Sequence, residues 1–336
     1  MFKSAIVYRI APGWEPPSLA SLEGALDRAR FVPCGPTEPR SAGWIEPRGR
    51  EHEALVESVG GHWILCLRTE TRAVPGAAVR DALEARLQKI EQETGSRPRG
   101  KLRKELKEEI VVDLLPRAFS KFATTRIWLD PKAGLLVVGA GSAAKADEAV
   151  GALIEAFRDL GAVLPAGLLK TQMAPSTAMS LWLAEREAPP GFSIDQECEL
   201  KQAGAGESDA ALEGTGQARA GDRATVRYAR HSLDIDEVVA HVRQGKVATK
   251  LAITWRDRVS FLLDASMTLK RIEMLDVVLE GKAESGDDPA DDGFDADVAI
   301  ATGELGRMIP ELVEALGGEI APESVSEPAA RAPAPG

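Results

Sequence analysis

Two β-rich runs, "TTRIWL" and "LLVVGA", flank Asp130, Pro131, Lys132, Ala133 and Gly134. Asp, Pro and Gly grouped in this way make a tight turn, so the two runs are predicted to form a hairpin. This restricts the fold more than any other feature of the chain. The second run leads into Gly139-x-Gly141-x-x-Ala144 and a helical pattern, which taken alone is the strand, turn and helix of a dinucleotide site. A dinucleotide fingerprint opens a parallel βαβ unit and has an acidic residue about 20 positions on, at the end of the next strand. Asp159 has that distance but precedes the next apolar run, "GAVLP", and the strand before the glycines is already the second arm of a hairpin. The glycines are therefore read as a tight structural turn, and no cofactor is expected. A nucleotide-dependent oxidoreductase built on residues 139–144 is the rival reading.

The remaining pattern mixes strands and helices irregularly. "SAIVYRI" reads as a strand, "PSLASLEGALDRARF" as a helix, and "HWILCLRTE" as a strand apolar enough to be buried on both faces. "AAVRDALEARLQKIEQE" sets Val79, Leu83, Leu87 and Ile90 on one helical stripe, which "TGSRPRG" interrupts. In "KLRKELKEEIVVDLL", at 100° per residue, Leu102, Leu106 and Ile110 share one face and Lys101, Lys104 and Lys107 another. Ser142 is placed to cap the helix that follows the glycine turn. Residues 202–222 are rich in Gly and Ala and read as a flexible loop. After it come a strand "ATVRYARHSL", a helix "DIDEVVAHVRQG", and strands "VATKLAITW" and "RVSFLLD" joined at Arg256 and Asp257. "ESGDDPADDGFDAD" reads as a solvated acidic loop. "DADVAIAT" and a helix through Leu305, Met308, Ile309, Leu312, Val313 and Leu316 close the ordered part, with Pro310 expected to kink that helix or lie in its first turn. This order favours an α+β fold, mixed or antiparallel sheets with flanking helices, over a doubly wound parallel sheet.

Several function classes are disfavoured. Cys34, Cys66 and Cys198 form no CxxC pair or even-numbered framework, and His52, His62, His231 and His241 have no partner at metal-ligand spacing. No metal site is expected, and the acidic pairs at 287–288 and 291–292 lack a ligand register. No Ser motif resembles a nucleophile elbow. No apolar run approaches the roughly 20 residues that span a bilayer. The opening "MFKSAIVYRIAPGW" is broken by Arg9 and Pro12 too early for a signal peptide and is read as the first strand of a cytoplasmic protein.

Charge is more informative. Of the net −11, residues 273–336 carry −13, from 16 acidic against 3 basic residues, which leaves +2 for residues 1–272. Arg97, Arg99, Lys101, Arg103, Lys104 and Lys107 stand against Glu105 alone. Arg117, Lys121 and Arg126 follow, interleaved with Phe119 and Phe122, and a third group comprises Arg223, Arg227, Arg230, Lys246 and Lys250. Such cations are either the wet side of core elements or phosphate contacts that need no base-edge reading. The two phenylalanines could stack on bases, pack in the core or meet a partner chain, core packing being the ordinary role for at least one of them.

The blocks "VYRI", "FVPCG", "GWIEP", "ALEARLQKIE", "LKEEIVVDLLPRAFSKF", "GKVATKLAITW", "LKRI" and "FDADVAIATGEL" occur in an order that resembles the recombination-associated RdgC family of proteobacteria, along nearly the whole chain. The resemblance implies a non-enzymatic, sequence-independent DNA-binding protein. Its elongated, curved subunit would close with a second copy into a ring around duplex DNA, single-stranded DNA being left open. It further implies a nucleoid-associated role in replication and in restraining the RecA recombinase, direct contact with RecA being left open, and no membrane partner. Residues 1–75 and 120–170 would form a central region and 76–119 a basic helical region reaching the ring's openable contact. Residues 171–320 would be a second region with a projecting finger, and 321–336 a disordered tail. By matching position Phe119 resembles the aromatic at that contact. Arg97, Arg99, Lys101, Lys104, Arg117, Lys121, Arg227, Arg230, His231, Lys246 and Lys250 become the expected DNA contacts. "TGSRPRG" departs from the family, whose helix continues there, and the family's match to "VVGAGSAAKA" does not keep both glycines. An interaction scaffold without DNA affinity is the remaining alternative.

Overall fold

The computed structural model describes residues 1–202, 224–278 and 293–320. The loop expected at 202–222 (Gln202 apart), most of the acidic loop and the tail at 321–336 lie outside these residues. Among the described residues, twelve strands join into one sheet. They are β1 (Ser4–Ile10), β2 (Arg40–Ile45), β3 (Val56–Val59), β4 (His62–Arg72), β5 (Ser120–Asp130) and β6 (Leu135–Val138). Then follow β7 (Ala166–Leu168), β8 (Phe192–Gln202), β9 (Thr225–Ala229), β10 (Lys246–Trp255), β11 (Val259–Asp264) and β12 (Leu269–Met274). The order is β2-β4-β5-β6-β1-β12-β11-β10-β8-β9, with β3 beside β4 and β7 beside β1. Every pairing between these strands is antiparallel. The helices are α1 (Leu19–Arg28), α2 (Gly76–Thr94), α3 (Gly100–Leu114), α4 (Ala143–Arg158), α5 (Pro175–Glu185), α6 (Asp236–Arg243) and α7 (Phe294–Ala315). None is long and apolar enough to cross a membrane.

The alternation of side chains along a strand divides the core into two layers. On β1, Ile6, Tyr8 and Ile10 face Leu22 and Leu26 of α1 and Leu153 and Phe157 of α4. Ala5 and Val7 face the opposite way, into a layer closed by Met179 and Trp182 of α5 and Leu305, Met308 and Leu312 of α7. β4 is buried on both faces, as expected, with Ile64 in one layer and Leu65 and Leu67 in the other. Helix α7 spans the join between the half-sheets, where β1 meets β12 through only Ser4↔Lys270 and Ala5↔Leu269. Trp128 of β5 and Phe261 and Leu263 of β11 lie in the layer it closes.

The hairpin around 130–134 forms as predicted. Asp130 Oδ1 accepts from the Lys132 and Ala133 backbone N–H groups at 3.0 and 2.9 Å, and Gly134 adopts φ +62. β6 has β5 on one side and β1 on the other, both antiparallel, so the glycine turn does not open a parallel βαβ unit. Gly139 is closely packed: a Cβ there would lie 3.1 Å from the Arg126 carbonyl oxygen and 3.2 Å from the Phe2 ring, so a neighbour would have to give by a few tenths of an ångström. Arg256 and Asp257 make the β10–β11 turn with φ +47 and +54, the mirror-image turn that suits strand twist.

Three local expectations are corrected. Ser142 occupies the N-cap position of α4 but its side chain makes no capping bond. "DADVAIAT" is the start of α7 rather than a separate unit, and Pro310 lies inside that helix. Val298, Ala301, Leu305, Met308, Ile309 and Leu312 are buried at helical spacing on either side of it, and that packing tolerates the one backbone hydrogen bond a proline removes. Leu102 is 51% exposed, whereas Leu106 and Ile110 are buried. It sits in the first turn of α3, where α2 offers only polar residues in its last turn.

Helices α2 and α3 form an arm inserted between β4 and β5. Val79, Leu83, Leu87, Leu106 and Ile110 make its own small core, separate from the two layers of the body. Gly95, in the left-handed conformation at φ +71, ends α2 and turns the chain back.

Candidate nucleic-acid interface

The arm returns to the sheet through a single 3-10 turn, Leu115–Arg117, and the next element begins at Ser120. Phe119, in the step between them, is 94% exposed. Burying such a side chain against another surface would be favourable by about 1.5–3 kcal/mol. Phe122 is half exposed, and the Arg68 guanidinium lies 5.2 Å from its ring centroid. Phe31 meets Phe122 edge-on at 6.3 Å and lies 5.7 Å from the same guanidinium. The ordinary expectation that at least one of the two packs in the core is not met: both are exposed and neither belongs to a hydrophobic core, Phe122 resting instead against Phe31 and Arg68. Arg117 and Lys121 flank Phe119; both are exposed, and neither makes an ion pair among the described residues.

The expected DNA contacts fall into two sets. Arg99, Arg117, Lys121, Arg230 and Lys246 make no ion pair with a carboxylate among the described residues. The Lys246 Nζ lies 3.1 Å from the His241 Nδ1, and Arg230 ends β9 with φ +57, a left-handed conformation that costs a non-glycine residue energy. The His231 Nδ1 lies 2.7 Å from the Ser232 carbonyl oxygen, and its ring is tilted against Tyr228. The other set already has partners. Arg97, in the turn between the arm's helices, pairs with Glu84 and, at 3.7 Å, with Glu91, fastening that turn to α2. Lys101 and Lys104 pair along α3 with Glu105 and Glu108 at 3.7 and 3.8 Å. Exposed pairs of this kind contribute about 0–1 kcal/mol and exchange readily for a phosphate. Arg103 and Lys107 of α3, which were not among the expected contacts although the helical-face argument set Lys107 beside Lys101 and Lys104, are exposed and carry no ion pair among the described residues. The Lys-rich run was the signal that contained them.

Arg227 and Lys250 belong to a denser network on the open face of the second half-sheet. Glu197 holds Arg227 and Arg271, each at 2.8 Å. Glu199 accepts from Lys250 at 2.9 Å, Lys201 at 3.0 Å and Thr249 at 2.9 Å. Burial works against the charge on Glu199, yet the hydrogen bonds from Lys250, Lys201 and Thr249 outweigh it and take its pKa from 4.5 down to about 2. A depressed carboxyl pKa adds stability that is complete above the unfolded value and disappears as pH falls towards the folded one. The wild-type protein is therefore expected to lose stability between pH 4.5 and about 2 to a greater extent than Glu199→Gln. Urea midpoints at pH 6 and 3 measure this, and equal losses in the two proteins would refute it.

Fold and site together define an antiparallel α+β protein whose candidate site is a surface of cations and aromatics at the root and along the length of an arm. Among the described residues no group of three or more His, Cys, Asp or Glu is placed to hold a metal ion. The three cysteines are buried free thiols. The chain belongs to the RdgC family: residues 1–319 match the family described as "Putative exonuclease, RdgC". It is 42% identical over 322 residues to the recombination-associated protein RdgC of Dechloromonas aromatica, covering 95% of this chain and 98% of that one. The relatives of the same name from Janthinobacterium sp. (strain Marseille) and Bordetella pertussis are 40% and 39% identical, each over 95% of this chain and 98% of its own length.

Proposed function

We propose that this protein binds DNA non-enzymatically and without regard to sequence, as a homodimer that closes into a ring around the duplex and restrains RecA during recombination and replication. The observation that carries the reading is Phe119, 94% exposed at the root of an arm beside Arg117 and Lys121, which make no ion pair among the described residues. An apolar side chain in that position suits a contact with a second copy, and the cations around it suit phosphates. The chain's net −11 is compatible with DNA because the acidity is concentrated in residues 273–336, which leaves +2 elsewhere. Arg230, His231 and Lys246, at the end of β9 and the start of β10, would be the finger's share of the contact. The working compartment is the cytoplasm, at the nucleoid.

Binding to a fluorescent duplex across a salt series tests the reading. With about five phosphates neutralised, log affinity falls against log salt with a slope near −4 to −5 and scarcely changes with sequence; single-stranded DNA in the same series settles strand preference. No binding at low salt would leave the basic faces as solvated surface and the chain as a scaffold. The family description names an exonuclease, so end-labelled linear duplex incubated with Mg2+ or Mn2+ belongs in the same test. Shortening of the label-bearing strand would replace occlusion by hydrolysis.

A further inference from the structure

Glu70 is 1% exposed, near the end of β4, and none of the contacts proposed above uses it. One carboxylate oxygen, Oε2, accepts from the backbone N–H of Cys34 at 2.8 Å. The other, Oε1, accepts from the Ser120 hydroxyl and, at 3.4 Å, from Arg72 Nε. Arg72 carries the arrangement further: it donates to the carbonyl oxygens of Gly35 and Cys34 at 2.9 and 3.0 Å and to the Ser120 hydroxyl at 3.3 Å. The hydrogen bond from Ser120 is the first cause, and those from Cys34 and Arg72 are further causes, that hold the Glu70 carboxyl below its ordinary pKa.

The position of these residues in the chain gives the network its meaning. Arg72 is the last residue of β4, from which the chain leaves the sheet to enter α2. Ser120 is the first residue of β5, where the chain returns from the arm, and it directly follows Phe119. The two are the last partners of the β4–β5 ladder, Arg72↔Ser120. Both roots of the arm therefore meet at one buried carboxylate, and the loop at 34–35 is fastened to the same point. The arm has its own core and lies beyond the two layers of the body, so its direction depends on its roots.

We infer that Glu70 is a positioning residue: it clamps the two roots of the α2–α3 arm and so sets where Phe119 is presented to a second copy of the chain. The functional consequence rests on the ring reading, whereas the clamp itself does not. Ionised Glu70 is matched to three donors. Glutamine of the same shape has one oxygen and one NH2 group, so it meets a donor with a donor at one of the three positions and loses the charge that strengthens the rest. Ser120→Ala removes the two bonds made by the Ser120 hydroxyl, to Glu70 and from Arg72, and leaves the Cys34 bond intact.

The test measures the arm directly. Spin labels at Ser96→Cys on the arm's tip and Lys145→Cys on α4 report the distance from arm to body in the full chain. The native thiols are buried and stay in place, and dilution into unlabelled protein restricts the signal to pairs within one chain. Glu70→Gln and Ser120→Ala are each expected to broaden the distance distribution. On closed circular DNA each is expected to weaken retention about tenfold, the worth of one charge-assisted hydrogen bond. Unchanged distance distributions in both variants overturn the clamp, whatever happens to DNA retention. Broadened distributions with undiminished retention establish the clamp and remove the ring reading instead. If Glu70→Gln does not fold, the Ser120→Ala distribution decides alone.

Discussion

Phe119→Ser is expected to leave the subunit folded and to abolish closure of the dimer. Phe119 belongs to none of the three hydrophobic cores, so the thermal midpoint of the subunit should not move. At a two-fold contact the same residue is present twice, once from each copy. Truncating a buried aromatic anchor costs about 2 kcal/mol or more, so the pair loses about 4 kcal/mol, roughly a thousandfold in the closure constant. The first phosphate contacts need not change, because Arg117 and Lys121 remain. The variant should accordingly bind short linear duplexes with the wild-type salt slope but come off closed circles rapidly, where the proposed ring would have to open to leave. Dissociation rates from linear and circular DNA, measured side by side with the sedimentation of the free protein, separate the two effects. Dimer closure and circle retention equal to wild type would take Phe119 out of the mechanism.

Gly43→Ala is expected to destabilise the subunit by about 3 kcal/mol, the upper end of ordinary overpacking. Gly43 lies on β2, where the segment after α1 crosses it. Phe31 donates its backbone N–H to the Trp44 carbonyl at 2.9 Å, and Trp44 donates to the Ala29 carbonyl at 3.0 Å. A Cβ on Gly43 would lie 2.4 Å from the Phe31 Cα, 2.6 Å from the Phe31 nitrogen and 2.9 Å from the Arg30 carbonyl carbon. All three are backbone atoms, so no side-chain rotation relieves the overlap and the crossing segment must move. That segment carries Phe31, which faces the Arg68 guanidinium, and leads to Cys34, which Glu70 holds. The same substitution at Gly24 of α1 or Gly151 of α4 meets nothing within 4 Å and removes a poor helix former, so it should be neutral or stabilising. Melting curves of the three variants check the opposite signs. A Gly43→Ala midpoint within a degree of wild type would show that the segment can give way.

How much of this was legible beforehand follows the range of the interactions. The hairpin at 130–134 was readable because Asp130 caps its own turn two and three residues on and Gly134 takes a conformation few other residues adopt. The β10–β11 turn was placed correctly for the same local reason, and the buried stripe of α2 followed from helical period. The blocks that resemble the RdgC family were also in the sequence, and Phe119 was singled out there. The failures are also physical. Ser142 has the right residue type and position for a cap, but its hydroxyl makes no such bond. Pro310 was expected to kink the helix or to lie in its first turn; it lies deep inside a helix whose burial on both sides of the proline holds it together.

What the chain determined by itself, then, is its turns and the elements with a clear period, because turn chemistry and side-chain period act over a few residues; β2, β3, β7, α5, β8 and β12 were not read from the sequence. Tertiary structure alone decided which charges remain available. Arg97 finds Glu84 13 positions away, Arg227 finds Glu197 at 30, and Lys250 finds Glu199 at 51, whereas Arg117 and Lys121 find no carboxylate among the described residues. It also buried Glu70 between Cys34 and Ser120 and brought Phe31 onto Gly43. Each of these depends on strand register and on one segment crossing another, which the whole sheet settles together and no short stretch of sequence encodes.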